Sequence, residues 1–204
     1  MTTFYLVRHA LTAHTGSRLS GWAPGVHLTD EGIAQAEAVA DGLADAGLDA
    51  VYSSPIERTL ETARVIAAHH GLEVRIRRAL GEVRYGKWTN RSFKTLTRTR
   101  LWTSVQRWPS GTRFPEGETL REVQARAVTE IERLREEHPR HRVCCVSHAD
   151  VIRLVAAHYL GLHIDLFQRL VVSPGSITVI GIGDEGPRVL TVNALPVTMP
   201  SISE

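Results

Sequence analysis

Cysteine is nearly absent: the only two, Cys144 and Cys145, are adjacent in "RVCCVSH". Neighbouring positions on a strand point to opposite faces, which disfavours a disulfide between them. Nor is an adjacent pair spaced to ligate a metal, so both read as core residues. Long apolar runs are missing too, and nothing approaches the roughly 20 residues that span a bilayer. The opening "MTTFYLVRHA" has neither the basic start nor the apolar stretch of a signal peptide. These absences predict a cytoplasmic protein with no membrane partner. One further absence is local. From Val83 to Pro115 there is no Asp or Glu, while Arg84, Lys87, Arg91, Lys94, Arg98, Arg100, Arg107 and Arg113 contribute +8. The whole chain carries only +2, which leaves −6 on the remainder. Such a block sets up a positive potential that attracts anions, without saying which.

What is present suits a globular fold. A chain of 204 residues, 43% hydrophobic, predicts one domain over 1–204 with a sizeable core. "FYLV" (4–7) reads as a buried strand. Ile33, Ala36, Val39, Ala40 and Leu43 form a helical stripe in 28–47. "DAVYSSP" is a second strand. The helix after it has Ser54 placed to cap it, Pro55 in its first turn and Gly71 to stop it. "EVRIRRAL" (73–80) reads as a third strand and "SFKTLTRTRLWTSVQRW" (92–108) as helical. A long amphipathic helix over 119–139 precedes "RVCCVS", apolar throughout as a central strand should be. A helix over 149–162 follows, and a hairpin around Asp184-Glu185-Gly186 closes the pattern. Strands alternating with helices predict an α/β fold, a three-layer α/β/α sandwich around a mostly parallel sheet. The basic block reads as a lid insertion, about 83–118, over one end of that sheet.

In such folds ligands gather at the carboxyl ends of the strands. Strand one ends in Arg8-His9, the fourth ends in Ser147-His148, Arg58 opens the second helix, and Glu82 follows the third strand. Taken singly, each has a bland explanation: a structural histidine, a solvated arginine, a surface glutamate. Two His, two Arg and one Glu at one topological end predict a site. Phosphoryl transfer needs this set. Its transition state spreads negative charge over three equatorial oxygens, which planar guanidinium forks and helix N-termini match. A neutral histidine attacks phosphorus in line, and a carboxylic acid protonates the departing oxygen.

The motifs "LVRHA", "SSPIERTLETA", "GEVRYGKW", "FPEGET" and "VSHAD" occur in that order along nearly the whole chain. They resemble those of the histidine phosphatase superfamily, the phosphoglycerate mutase-like proteins. "LWTSVQRWPSGTRFPEGETL" and "GLHIDLFQRLVVSPGSITVI" are similar to a set of actinobacterial proteins described as phosphomutases. The resemblance implies that His9 is the phosphorylated nucleophile and that Arg8, Arg58 and His148 bind phosphoryl oxygens, His148 protonated or donating. Glu82 is then general acid and later base. Thr15 stands where an asparagine often contacts phosphate, and Gly21 is carried over as a phosphate-binding position. No metal and no cofactor are implied. Two departures stand out: Ala10 and Ala149 occupy positions where the family commonly has glycine. If either backbone needs positive φ, alanine costs about 1 kcal/mol or more. Lys87-Trp88-Thr89-Asn90 also departs from the family pattern, which points to an altered lid and substrate.

The expected activity is metal-independent hydrolysis of a small phosphomonoester. A phosphomutase using the same intermediate is the alternative. It requires exclusion of water, and "NALPVTMPSISE" offers little to seal a pocket. A polyanion binder is the rival from another class, supported by Trp88, Phe93, Trp102 and Trp108 interleaved with the basic residues. Against it, Trp102 and Trp108 suit packing within the insertion, and a binder has no use for Glu82, so no nucleic-acid partner is expected. A catalytic metal is disfavoured because the ten histidines lack partners at ligand spacing. Exposed sheet edges make a homodimer plausible.

Overall fold

The computed structural model describes residues 1–196. The expectation attached to "NALPVTMPSISE" falls mostly on 197–204, outside the described residues. The strands are β1 (Thr2–Arg8), β2 (Arg18–Leu19), β3 (Ala50–Ser53), β4 (Val74–Ile76), β5 (Arg91–Ser92), β6 (Arg142–Ser147), β7 (Ile177–Gly183) and β8 (Gly186–Ala194). The α-helices are α1 (Asp30–Gly42), α2 (Glu57–His69), α3 (Phe93–Leu96), α4 (Arg100–Arg107), α5 (Leu120–Glu137) and α6 (Ala149–Tyr159). Six strands form one sheet in the order β4-β3-β6-β1-β7-β8. The four from β4 to β1 are parallel, and β7 and β8 add an antiparallel edge.

Alternation along the strands builds two cores. Phe4, Leu6, Val143 and Cys145 face the α5–α6 side, while Tyr5, Val7, Cys144 and Val146 face α1 and α2. The adjacent cysteines therefore lie on opposite faces of the sheet, both free and buried. This is an α/β sandwich with helices on both faces of a mostly parallel sheet.

Several local expectations are corrected. Ile33 is 49% exposed and stands outside the buried stripe of Ala36, Val39, Ala40 and Leu43. The third strand stops at Ile76, and Arg78–Leu80 is a 3-10 turn that swings the chain toward the rim of the sheet. Helix α2 begins at Glu57 behind Ile56, with no side-chain cap; Ser54 is used elsewhere. The helix expected over 92–108 is two short ones, each restarted by its own cap: Ser92 accepts from Thr95 N, and Thr99 from Trp102 N.

The segment between Arg84 and Glu118 leaves and re-enters the sandwich through a narrow neck. Glu118 N donates to Arg84 O at 2.9 Å, and Lys87 N to Pro115 O at 2.9 Å. Glycine is required at this crossing, because a Cβ on Gly86 would sit 1.9 Å from Pro115 O and one on Gly117 2.1 Å from Arg84 O. Beyond the neck, β5 pairs with β2 and ties this segment to the loop after β1.

Candidate active site

Strand register puts the two histidines together. In the β1–β6 ladder Arg8 stands opposite Ser147, and His9 N donates to Ser147 O at 3.0 Å. His9 and His148 are thus the next residues on neighbouring strands, with ring centroids 5.3 Å apart at 64°. β3 runs beside β6 and delivers Ser54 to the same rim. From the first turn of α2, Arg58 reaches in and is only 1% exposed.

Hydrogen bonds fix the protonation of this cluster. His9 Nδ1 lies 2.8 Å from Ala10 O, a pure acceptor, so the ring proton is on Nδ1 and Nε2 carries a lone pair. Arg58 Nε donates to that lone pair at 3.2 Å. Arg58 Nη2 is shared between Gly21 O at 2.9 Å and His148 Nδ1 at 3.2 Å. With Nδ1 facing a guanidinium donor, neutral His148 holds its proton on Nε2, which donates to Ser54 Oγ at 2.9 Å. Burial, reinforced by Arg58, pushes both imidazoles well below their ordinary pKa. His148 is accordingly neutral here, with its donor turned to Ser54. Among the described residues, two buried guanidinium nitrogens, Arg8 Nε and Arg58 Nη1, have no hydrogen-bond partner, while Arg8 Nη1 is anchored on Val172 O at 2.7 Å. A buried N–H left unpaired is costly, and an oxyanion supplies the missing acceptor.

Glu82 lies opposite. Trp22 Nε1 at 2.7 Å and Arg126 Nη2 at 3.0 Å hold its main-chain carbonyl. Its Oε1 accepts from Val83 N at 2.9 Å, and its Oε2 stands 3.7 Å from His148 Nδ1, too far for a hydrogen bond. Burial, with the Asp150 carboxylate next, pushes Glu82 up to about 7 against the pull of Arg58, the Val83 N–H and Arg8. Asp150 is held by the Tyr85 hydroxyl at 2.9 Å and Arg153 Nη1 at 3.0 Å. Helix α6 starts at Ala149 with no side-chain cap, so its first amides open toward this space.

A cavity of about 520 Å³ opens on this cluster; Arg8, His9, Arg58, Glu82, Thr15 and Ala149 all line it, whereas His148, expected to bind phosphoryl oxygens, is fully buried and does not. Thr15 lines it with its hydroxyl already engaged, accepting from Thr12 N at 3.0 Å. Gly21 does not line it. Its carbonyl orients Arg58, and its φ of +54° explains the glycine. Neither Ala10 nor Ala149 is among the non-glycine residues with positive φ, so their methyl groups carry no backbone strain. None of the eight lid cations lines the cavity. The lid presents Trp88, Phe93, Trp102 and Phe114 instead, whereas Trp108 is 62% exposed, contrary to the packing role expected of it. Sequence reasoning missed Ser54 as the partner of His148, and Asp150, Tyr85, Trp22 and Arg126 as supports of Glu82. The "HAD" at the start of α6 was the one local signal for Asp150. Among the described residues no group of three or more His, Cys, Asp or Glu is placed to hold a metal ion.

Comparison with known proteins identifies the family. The family described as histidine phosphatase superfamily (branch 1) matches residues 4–195. The chain belongs to that superfamily. An uncharacterised protein of Mycobacterium tuberculosis is 36% identical over 150 residues, 72% of this chain and 73% of the relative. Phosphoserine phosphatase 1 of Hydrogenobacter thermophilus is 29% identical over 197 residues, 95% of this chain and 92% of the relative. Among solved structures, the alpha-ribazole phosphatase from Shigella flexneri superposes with a TM-score of 0.84 at 27% identity, covering 94% of this chain and 96% of that one. Members of the superfamily are phosphatases or phosphomutases, so this histidine phosphatase homologue is an enzyme of that kind. Among its described residues no helix is long and apolar enough to cross a membrane.

Proposed function

We propose that the protein is a metal-independent phosphatase that hydrolyses a small phosphomonoester through a phosphohistidine on His9. The observation that carries this is the state of His9: Nδ1–H is tied to Ala10 O, and Nε2 carries a lone pair beside two unpartnered guanidinium nitrogens. Arg8, Arg58 and the open end of α6 receive the three phosphoryl oxygens. As Arg58 Nε transfers its hydrogen bond from Nε2 to a phosphoryl oxygen, the freed Nε2 lone pair attacks phosphorus, the P–O bond to the alcohol breaks, and Glu82 gives its carboxylic proton to the departing alkoxide. Water then attacks the phosphohistidine while Glu82, now a carboxylate, takes its proton. The P–N bond breaks and its electron pair returns to Nε2. His148 acts here as a neutral pillar: it orients Arg58 through Nδ1 and is itself oriented by Ser54. The same groups serve a phosphomutase if an acceptor alcohol replaces water, as the relatives described as phosphoglycerate mutase-like suggest. Two free, buried cysteines fit a cytoplasmic setting.

The test is hydrolysis of p-nitrophenyl phosphate in EDTA by wild type and His9→Ala, with mass spectrometry of the wild type quenched in alkaline denaturant, where a P–N bond survives. Turnover that survives EDTA, a phosphoryl adduct on His9, and loss of at least about 10³ in His9→Ala are expected. Turnover that persists without His9, or that EDTA abolishes, overturns the reading. Transfer to an added alcohol in preference to water selects the mutase.

A further inference from the structure

The wall of the cavity that faces the phosphoryl-binding groups is a continuous chain of aromatic rings. Tyr85 meets Phe114 edge to face at 4.9 Å, Phe114 meets Trp88 at 5.6 Å, Trp88 stacks on Trp102 at 6.2 Å and 28°, and Trp102 meets Phe93 at 5.9 Å. All five line the cavity, and four of them come from the segment between Lys87 and Pro115, whose cations all point elsewhere. Besides the phosphoryl-binding pair, the cavity guanidiniums are Arg18 and Arg153. Arg18 donates to Asn90 O at 2.6 Å, and Arg153 is paired with Asp150. The cavity therefore has fixed phosphate donors on one side and a wall of ring faces and edges on the other, with Arg18 tied to Asn90 at the edge of that wall.

We propose that the substrate's alcohol carries an aromatic or similarly flat apolar group that seats against this wall. The inference rests on the phosphomonoester reading above, because it takes the phosphoryl end as fixed by Arg8 and Arg58. Once that end is bound, the rest of the molecule lies within the same 520 Å³ and meets Trp88, Trp102 and Phe93. A flat apolar group removes water from those rings and joins their edge-to-face and offset pattern. A short polar alcohol leaves them wet, and the rings themselves offer a second phosphate nothing; the cation beside that wall is Arg18, whose Nη1 is held by Asn90 O and Oδ1. Positive charge along the lid thus acts outside the cavity and does not select a second anionic group inside it.

Binding separates this inference from the chemistry. Calorimetry on His9→Ala, which cannot turn substrate over, compares ethyl phosphate with 2-phenylethyl phosphate, two primary alkyl esters that differ in the ring. The phenylethyl ester is expected to bind about tenfold tighter or more, about 1.4 kcal/mol per tenfold. Adding Trp102→Ala, or the milder Phe93→Leu if the first is poorly folded, is expected to bring the ratio to about threefold or less. Equal affinities for the two esters, or a ratio unmoved by both wall variants, overturns the proposal. If the phenylethyl ester is preferred yet wild type hydrolyses neither ester, the phosphatase reading fails and the aromatic site stands. If wild type hydrolyses both with equal kcat/KM and the affinities are equal, the reverse holds.

Discussion

In the proposed mechanism Glu82 gives a proton and later takes one, and its surroundings set it near the balance point between the two. Burial and the neighbouring carboxylate of Asp150 bring it to about 7, so close to neutrality it is an acid to the alkoxide and a base to water. In the free enzyme, kcat/KM for an alkyl ester needs Glu82 protonated and His9 neutral. His9 is held well below its usual value, so it imposes no loss near neutral pH. We expect kcat/KM for ethyl phosphate to fall as pH rises through about 7, approaching tenfold per unit. Asp150→Asn removes a like charge and should move that fall to lower pH, as a pH–rate profile would show. p-Nitrophenyl phosphate, whose leaving group needs no proton, should show a weaker fall. At this scale the sequence was legible where side-chain type and motif sufficed: His9, Arg58, His148 and Glu82 all stand at the rim. It was illegible where a role depends on which atom faces which. Ser54 looks like a helix cap by local pattern, and only the packing of β3 against β6 turns its hydroxyl to His148. Gly21 looks like a phosphate contact, and its carbonyl instead anchors Arg58.

Element boundaries follow the same logic. The apolar run "RVCCVS" and the hairpin at Asp184-Glu185 are set by local pattern and match β6, β7 and β8. The lid helices do not, because a polar, basic stretch gives periodicity little to hold, and the chain breaks wherever a Ser or Thr can cap a fresh start. Helix α5 has the strongest local signature. Its capping box pairs Thr119 Oγ1 with Glu122 N at 3.1 Å and Glu122 Oε2 with Thr119 N at 2.7 Å. Thr119→Ala should cost about 1 kcal/mol in urea denaturation. The same helix carries Arg126, which holds the carbonyl of Glu82 from the far side of the cap. Destabilisation without a matching loss of kcat would show that the helix body, not its first turn, sets the position of Glu82.

Over the whole molecule, charge is sorted by distance from the chemistry. Lys87 and Arg113 are paired with Glu116 and Glu122, and Arg84 lies over the Trp22 ring at 4.3 Å. Arg91, Lys94, Arg98, Arg100 and Arg107 are exposed, with no carboxylate partner among the described residues. Such charges act through solvent, raising the local concentration of a dianion at the cavity mouth. Replacing Arg98 and Arg100 by Glu should lower kcat/KM several-fold at low salt and leave kcat alone. The difference should vanish near 1 M salt, where screening acts within about 3 Å. Composition revealed this block but not its outward direction, which depends on the β2–β5 pairing and on the ring cluster turned inward. The neck at Gly86 and Gly117 has a further consequence, for descent. A segment that enters and leaves at one clasp can be lengthened, shortened or traded with little disturbance to the sheet, since each doubling of a loop costs only about 0.6 kcal/mol in closure. On the proposed reading, the residues that handle phosphorus and those that choose the alcohol are thereby free to diverge at separate rates, like a handle that keeps its grip while the blade is changed.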